Sequence, residues 1–204
     1  VDTVTSLGGV PLYLDQWKID LAYSCSQKGL SCPPGLGPFS MNDRAEEKMS
    51  NRKDKVPNWY LDVSLLNKYW GSDRVYHHTA TVNMNFGIRE ALRLLAEEGL
   101  EASWSRHKKN AKELWNALEK IGLELQVKEE LRLPTLTTVK IPEGVDGKAF
   151  TKHLLNNFGV EIGGGLGDLA GKVWRIGLMG YNSTSKNVEK IINIFETELP
   201  KFKP

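Results

Sequence analysis

The chain has 204 residues, of which 40% are hydrophobic and 25% charged, and its 27 basic and 25 acidic residues leave a formal charge of +2. These values describe one large or two small globular domains with enough apolar residues for a core. They exclude a nucleic-acid-binding arm or polybasic membrane anchor, because the densest basic segment, "NRKDKVP", is interrupted by Asp54 and predicts a solvated loop. No apolar run approaches the ~18 residues that span a bilayer. The only cysteines, Cys25 and Cys32, lack disulfide-framework or zinc spacing and favour a reducing compartment.

The first elements indicate the end of a larger α/β unit. The chain opens on "VDTVTSLGG", without an initiator Met or a signal-like segment, so we expect a piece of a longer protein. Val1 and Asp2 are typical of the end of a strand. In "KIDLAYSC", Ile19, Leu21 and Tyr23 alternate, which predicts a buried strand.

Helices dominate the middle of the chain. A short helix is expected through "RAEEKMS" with an N-cap at Asn42 or Asp43, and a second through "LDVSLLNKYW". Ile88, Leu92 and Leu95 share one face of a longer helix that ends at Gly99. A second amphipathic helix follows, with apolar positions at Leu100, Trp104, Ala111, Leu114, Leu118 and Ile121.

The last third alternates strands and helices. Strands are predicted at "TLTTVKI", "VEI" and "KVWRIGLM", with a helix at "GKAFTKHLLNNF" and a closing helix through "NVEKIINIF". The pattern predicts two parts: residues 1–98 as the end of an α/β unit and residues 99–204 as a small α+β domain.

Asp2 and Lys28 follow two successive predicted strands. Ligands of open α/β sheets bind outside the carboxyl ends of the strands, where a carboxylate and an amine could serve a pyridine aldehyde cofactor. The lysine would form the Schiff base, and the acid would keep the ring nitrogen protonated. Many proteins contain an Asp and a Lys at such a separation, so the spacing alone does not distinguish this site from two surface charges.

Arg175 interrupts the apolar strand "KVWRIGLM". A guanidinium on a largely buried strand needs an anionic partner, because an unpaired buried charge is costly. That partner is either an internal acid or a substrate carboxylate held bidentately.

Two other motifs are set aside. "IGGGLGDLAGK" matches the dinucleotide fingerprint formally, but a strand follows where the fingerprint needs a helix, so a loop or tight turn is expected. His77 and His78 are neighbours, and neighbours on a strand point to opposite faces, so we predict no metal site there.

Five ordered motifs carry a family resemblance: "VDTVTSLGG", "CSQKGLSCPPG", "YHHT", "EIGGGLG" and "RIGLMG". Over nearly the whole chain the sequence resembles the alanine–glyoxylate aminotransferase family, in class V of the fold type I pyridoxal-phosphate enzymes, and corresponds to its C-terminal half. The resemblance implies that residues 1–98 end the large cofactor-binding α/β domain. Residues 99–204 would then form the small C-terminal α+β domain.

The resemblance also implies roles for the residues around the cofactor. Lys28 matches the lysine that binds pyridoxal phosphate covalently and shuttles the proton, and Asp2 matches the acid on the pyridine nitrogen. Gln27 matches a cofactor-contacting glutamine where the similar cysteine desulfurases usually carry His. Tyr76 and Thr79 match residues that reach the cofactor phosphate of the neighbouring subunit, which implies a homodimer.

For the substrate, the resemblance implies that Arg175 grips the α-carboxylate. The implied reaction moves an amino group from alanine, or serine, to glyoxylate by ping-pong steps, giving pyruvate and glycine. The family's main phosphate-binding loop and ring-stacking residue lie upstream, so we expect this chain alone to hold the cofactor poorly.

Three alternatives stay open. Serine–pyruvate and 3-hydroxykynurenine transaminases share these motifs, and a non-catalytic dimerisation or docking module would also fit a truncated chain. The tail "PKFKP" lacks a Ser-Lys-Leu-type signal. Kinship therefore suggests peroxisomal residence, with a mitochondrial location open.

Overall fold

The computed structural model describes residues 1–203, which contain two small sheets and six α-helices. Strands β1 to β5 are Leu21–Tyr23, Phe39–Met41, Leu136–Lys140, Gly163–Gly164 and Val173–Gly177. Helices α1 to α6 are Asp43–Ser50, Val63–Trp70, Val82–Glu98, Leu100–Lys120, Gly147–Phe158 and Ser185–Glu198. Strands β1 and β2 form one antiparallel sheet, and the other has the order β3-β5-β4, also antiparallel.

The first sheet lies where "KIDLAYSC" predicted a strand, but the expected buried face was wrong. Leu21 and Tyr23 are 45% and 50% exposed, whereas Ala22 between them is buried. Tyr23 lies opposite Phe39 of β2, which is also exposed. Alternation identifies the two faces of a strand, and packing elsewhere in the molecule decides which face is covered.

The predicted helices of the middle region are confirmed. The Asn42 side chain caps α1 by accepting the Ala45 N–H at 3.1 Å, and α3 ends at Gly99 with φ of 86°. The apolar face of α3, however, is not buried as a stripe. Ala91 is its only buried residue among those described, and Leu92 is 48% exposed.

One of the strands predicted for the second sheet was wrong. Residues 160–162, the predicted strand "VEI", are not paired, and β4 is Gly163–Gly164 instead. The chain leaves α5 with the Val160 N–H bonded to the Leu154 carbonyl at 3.3 Å, and pairing with β5 begins at Gly163 opposite Arg175. The chain therefore uses the start of the predicted strand to end α5, and only the residues after it pair with β5.

The main hydrophobic core lies between the second sheet and helices α4, α5 and α6. Its fully buried side chains include Leu114, Phe150, Trp174 and Phe195. The rings of Phe150 and Phe195 meet edge to face with centroids 5.2 Å apart. None of the helices among residues 1–203 has the length and apolarity needed to cross a membrane.

Candidate active site

Lys28 lies in a loop that follows β1 and is closed by its own hydrogen bonds. The Ser26 N–H donates to the Leu36 carbonyl at 3.0 Å, and its fully buried hydroxyl donates to the Pro33 carbonyl at 2.7 Å. The Ser31 N–H donates to the Lys28 carbonyl at 2.9 Å. These bonds fix the backbone that carries the lysine, while its side chain is only half-buried.

A cleft of about 480 Å³ lies between this loop, at residues 27–33, and residues 177–182, which follow β5. Gln27 and Lys28 both line it, as do Met179 and Tyr181 from the opposite side. Ligand pockets in proteins usually have volumes of about 300–1,000 Å³. Among residues 1–203, the Lys28 ammonium takes part in no salt bridge, so the amine is not committed to an internal acid.

Asp2 lies beside the end of β1, in a parallel bridge with Tyr23. Its carboxylate accepts the Val4 N–H at 2.7 Å and the Tyr23 hydroxyl at 2.9 Å. The bond to the Asp2 carboxylate and its negative charge raise the pKa of the Tyr23 phenol. The two adjacent parallel segments match the arrangement expected for Asp2 and the strand before Lys28, although Asp2 does not line the Lys28 cleft.

Arg175 lies on β5, two residues before Gly177 on the rim of the cleft. Its Nε donates to the Gly164 carbonyl at 2.6 Å. No acid pairs with it anywhere in residues 1–203, which contradicts the internal ion pair left open by the sequence. The glycine-rich segment was predicted to be a loop or tight turn, but it contains β4 and then a single 3-10 turn at Gly167–Leu169. A Cβ at Gly163 would lie 3.3 Å from the Arg175 guanidinium, so this glycine leaves room for that side chain.

Tyr76 and Thr79 lie together on a different segment. Their hydroxyl oxygens are 3.1 Å apart, Tyr76 is 71% exposed, and neither residue lines the Lys28 cleft. The pair therefore presents two hydroxyls to the outside of the chain, at a separation that one anionic oxygen could bridge.

The prediction that His77 and His78 point to opposite faces of a strand was wrong. The segment is not a strand, and the Nδ1 atoms of the two rings are 2.9 Å apart. The His77 ring also stacks on Trp59 with centroids 4.0 Å apart, and its Nε2 lies 3.1 Å from the Trp59 carbonyl. Within residues 1–203, no group of three or more His, Cys, Asp or Glu could hold a metal ion.

The sequence interpretation missed a polar stripe on the buried face of α4. It consists of Ser103, His107 and Asn110. The stripe bonds to loops on both sides: the Ser103 hydroxyl donates to Gly8, His107 Nε2 accepts the Gly180 N–H, and the Asn110 amide donates to Ser183. The available signal was position, because these polar residues share the helical face of Leu114 and Leu118.

Comparison with known proteins shows the family to which the chain belongs. The family described as "Aminotransferase class-V" matches residues 1–191. An alanine–glyoxylate aminotransferase of Callithrix jacchus is 50% identical over 195 residues, covering 94% of this chain and 47% of that protein. The chain spans about half the length of the curated relatives it matches.

Solved structures agree with this assignment. The crystal structure of an alanine–glyoxylate aminotransferase from Nostoc sp. superposes with a TM-score of 0.95 at 63% identity, over 98% of this chain and 53% of the other. A ureidoglycine–glyoxylate aminotransferase from Bacillus subtilis also reaches a TM-score of 0.95, at 38% identity, over 99% of this chain and 52% of the other.

Proposed function

Because this chain belongs to the class-V aminotransferase family, we propose that it is the C-terminal part of a pyridoxal-phosphate-dependent enzyme that moves an amino group from alanine, or serine, to glyoxylate. The similarity to proteins named alanine–glyoxylate aminotransferase supports this substrate pair. The products would be pyruvate and glycine.

The observation that carries the proposal is the placement of Lys28. Its amine lies on a hydrogen-bonded loop at the wall of a cleft of about 480 Å³ and is free of ion pairs within residues 1–203. An amine held in this way can act as a nucleophile and a base, provided that it reaches the neutral form.

The residues proposed to hold pyridoxal phosphate are Lys28, Gln27 and Asp2. Lys28 would hold the cofactor covalently, Gln27 would contact it from the adjacent position, and the Asp2 carboxylate would hold a proton at the ring nitrogen. When bound, the cofactor supplies an aldehyde carbon and an electron-withdrawing ring. Asp2 suits this part because its carboxylate lies on the segment that bridges in parallel to Tyr23, at the end of the strand that precedes Lys28.

Two residues of this chain would then handle the substrate. Lys28, in its neutral form, would accept the proton from Cα and return it at the end of the transfer. Arg175 would bind the substrate carboxylate, because the Gly164 carbonyl takes only its Nε–H and leaves the terminal nitrogens available for a bidentate pair.

We place Tyr76 and Thr79 at the site of a second subunit. Neither residue lines the Lys28 cleft of its own chain, and a phosphate could accept hydrogen bonds from both hydroxyls. A homodimer would bring them to the cofactor of the partner. Peroxisomal or mitochondrial residence stays a prediction from the resemblance.

The test is covalent trapping. The protein is mixed with pyridoxal phosphate, reduced with borohydride and digested, and the labelled peptide is identified by mass spectrometry. We expect the label on Lys28, no label at that peptide in Lys28→Ala, and full labelling in Lys152→Ala, which removes an exposed lysine of α5. Adding alanine before reduction should bleach the visible absorbance band and lower the labelling.

Two further outcomes are informative. Labelling that appears only in a protein of the relatives' full length would keep the enzyme proposal and show that upstream residues complete the site. No labelling of Lys28 in either protein would contradict it and favour the dimerisation or docking module. In the labelled protein, turnover of glyoxylate with alanine, compared with turnover of 3-hydroxykynurenine, separates the proposal from its sister enzymes.

A further inference from the structure

His107 is a completely buried histidine whose protonation state is fixed by its two hydrogen bonds. Its Nδ1 lies 2.7 Å from the Ser103 carbonyl, and its Nε2 lies 2.9 Å from the Gly180 backbone nitrogen. A backbone N–H can only donate, so Nε2 must be unprotonated. A carbonyl can only accept, so the ring proton is on Nδ1.

Gly180 packs against the Lys28 loop, next to the Gly29 carbonyl and Ser31. Its neighbours Met179 and Tyr181 line the cleft, and the Ser31 hydroxyl accepts the Tyr181 N–H at 2.8 Å. Gly180 has φ of 55°, and a Cβ there would overlap the Ser31 hydroxyl. The position of this peptide therefore sets how closely residues 179–181 approach the Lys28 loop.

The charged groups around His107 come from α3 and α4. Arg106 donates to the Gly180 carbonyl at 2.9 Å and to the Ser183 carbonyl at 2.7 Å, and it forms a salt bridge with Glu98 at 2.5 Å. Burial is the main cause that lowers the pKa of His107, and Arg106 lowers it further. The bond to Ser103 and the charge of Glu98 act in the opposite direction and do not reverse the shift.

We propose that His107 is a positioning residue for the Lys28 cleft: its unprotonated Nε2 holds the Gly180 N–H and so places Met179 and Tyr181 against the Lys28 loop. This inference deepens the proposed function and rests on it for its effect on cofactor chemistry. The proposed role of the bond between His107 and Gly180 in placing Met179 and Tyr181 does not depend on that function, because it concerns only contacts within this chain. Protonation of Nε2 turns the acceptor into a donor facing another donor, which breaks the bond to Gly180.

Three variants separate positioning from simple structural loss. His107→Leu fills the buried site with an apolar side chain but removes the atom that accepts the Gly180 N–H. His107→Gln offers a carbonyl oxygen that does not titrate and can accept from Gly180. His153→Gln is the matched control, since His153 is a half-buried histidine on α5 that bonds Glu198 and does not line the cleft.

The first readout is amide hydrogen exchange by NMR, with rates normalised to an unfolded peptide. We expect Gly180 protection to fall about tenfold or more in His107→Leu, with chemical-shift changes at Lys28, Ser31 and Tyr181. His107→Gln should restore most of the protection, and His153→Gln should leave it unchanged. If the leucine variant does not fold, the pH profile decides. Wild-type protection should fall with acid as His107 titrates, and His107→Gln should stay flat.

The second readout is the rate of borohydride-trapped labelling of Lys28, expected to fall about tenfold in His107→Leu and to recover in His107→Gln. Unchanged Gly180 protection in the leucine variant, or an identical acid profile in wild type and His107→Gln, would overturn the inference. So would lost protection without any shift change at Lys28. A wild-type protein that shows no labelling speaks against the proposed function alone, because the exchange data still decide the role of His107.

Discussion

Residues 1–98 and residues 99–203 bury their apolar side chains in very different ways. The hydrophobic core cluster lies entirely within residues 111–199. The first region carries the Lys28 loop, yet its buried apolar residues are only Ala22, Leu30, Cys32 and Ala91 among those described. Large apolar side chains such as Trp59, Trp70 and Phe86 lie on its surface instead.

The comparison shows that the main hydrophobic core and the Lys28 loop lie in different regions of the chain. The second region contains the whole core cluster, whereas the Lys28 loop is held by backbone hydrogen bonds and by the buried Ser26 hydroxyl. The division near residue 98 stays a prediction, and the following experiments test the contrast on which it depends.

The largest expected effect is on the second region. Phe150 is fully buried and contacts Trp174 and Phe195, so Phe150→Ala should lower the free energy of unfolding by about 3–5 kcal/mol. The matched variant Phe86→Ala, at a side chain that is 65% exposed, should change it by less than about 0.5 kcal/mol. Urea titration followed by tryptophan fluorescence measures both. Equal losses would contradict the contrast.

An intermediate effect is expected within the first region, where the Lys28 loop packs against Leu7. A Cβ at Gly29 would overlap the Leu7 carbonyl, so Gly29→Ala must push the loop away from residues 6–9, at a cost of about 1–3 kcal/mol. The same change should slow the labelling of Lys28. Gly37→Ala is the control in the same loop, because its Cβ would lie an ordinary 3.7 Å from the Ser24 carbonyl. A matching loss in both variants would show that the contact with Leu7 is not responsible.

The regular elements could be predicted from the sequence because each has a local cause. Asn42 caps α1 by a bond to a residue three positions on, and Gly99 ends α3 through a positive φ. The placement of Lys28 beyond a strand also follows from local pattern. Its role came from the family motifs, because an Asp and a Lys at this separation have no specific meaning.

The remaining features depend on contacts between distant parts of the chain. Alternation of residues identifies the two faces of β1, but packing against distant parts of the chain decides which face is buried. Leu21 and Tyr23 were therefore assigned to the wrong face. The role of His107 comes from its bond to Gly180, 73 positions away, and no spacing rule connects the two. A polar residue on an apolar helical face was the usable signal, since such a residue needs a buried partner.

The smallest expected effect is a pH dependence in the second region. Glu198 of α6 has a side chain that is 11% exposed, and it accepts from Lys201 at 2.6 Å and from His153 at 2.8 Å. Lys201 first, and then His153, hold the pKa of the Glu198 carboxyl below its usual value. In the unfolded chain that value is about 4.3.

The sign of this dependence follows from linkage. With a lowered pKa in the folded state, the contribution of Glu198 to stability is complete above about pH 4.3 and is lost as the pH falls through the folded-state pKa. Glu198→Gln should therefore flatten the acid limb of the unfolding free energy, measured by urea titration from about pH 6 to pH 3, whereas Glu189→Gln, at an exposed position of the same helix, should leave it steep. Loosening at the Lys28 cleft should begin below about pH 6.5, the value at which an unperturbed histidine titrates, because burial lowers the pKa of His107. If both acid effects disappeared with the Glu198 substitution alone, the cleft and the core would be one cooperative unit, and the contrast between the two regions would fail.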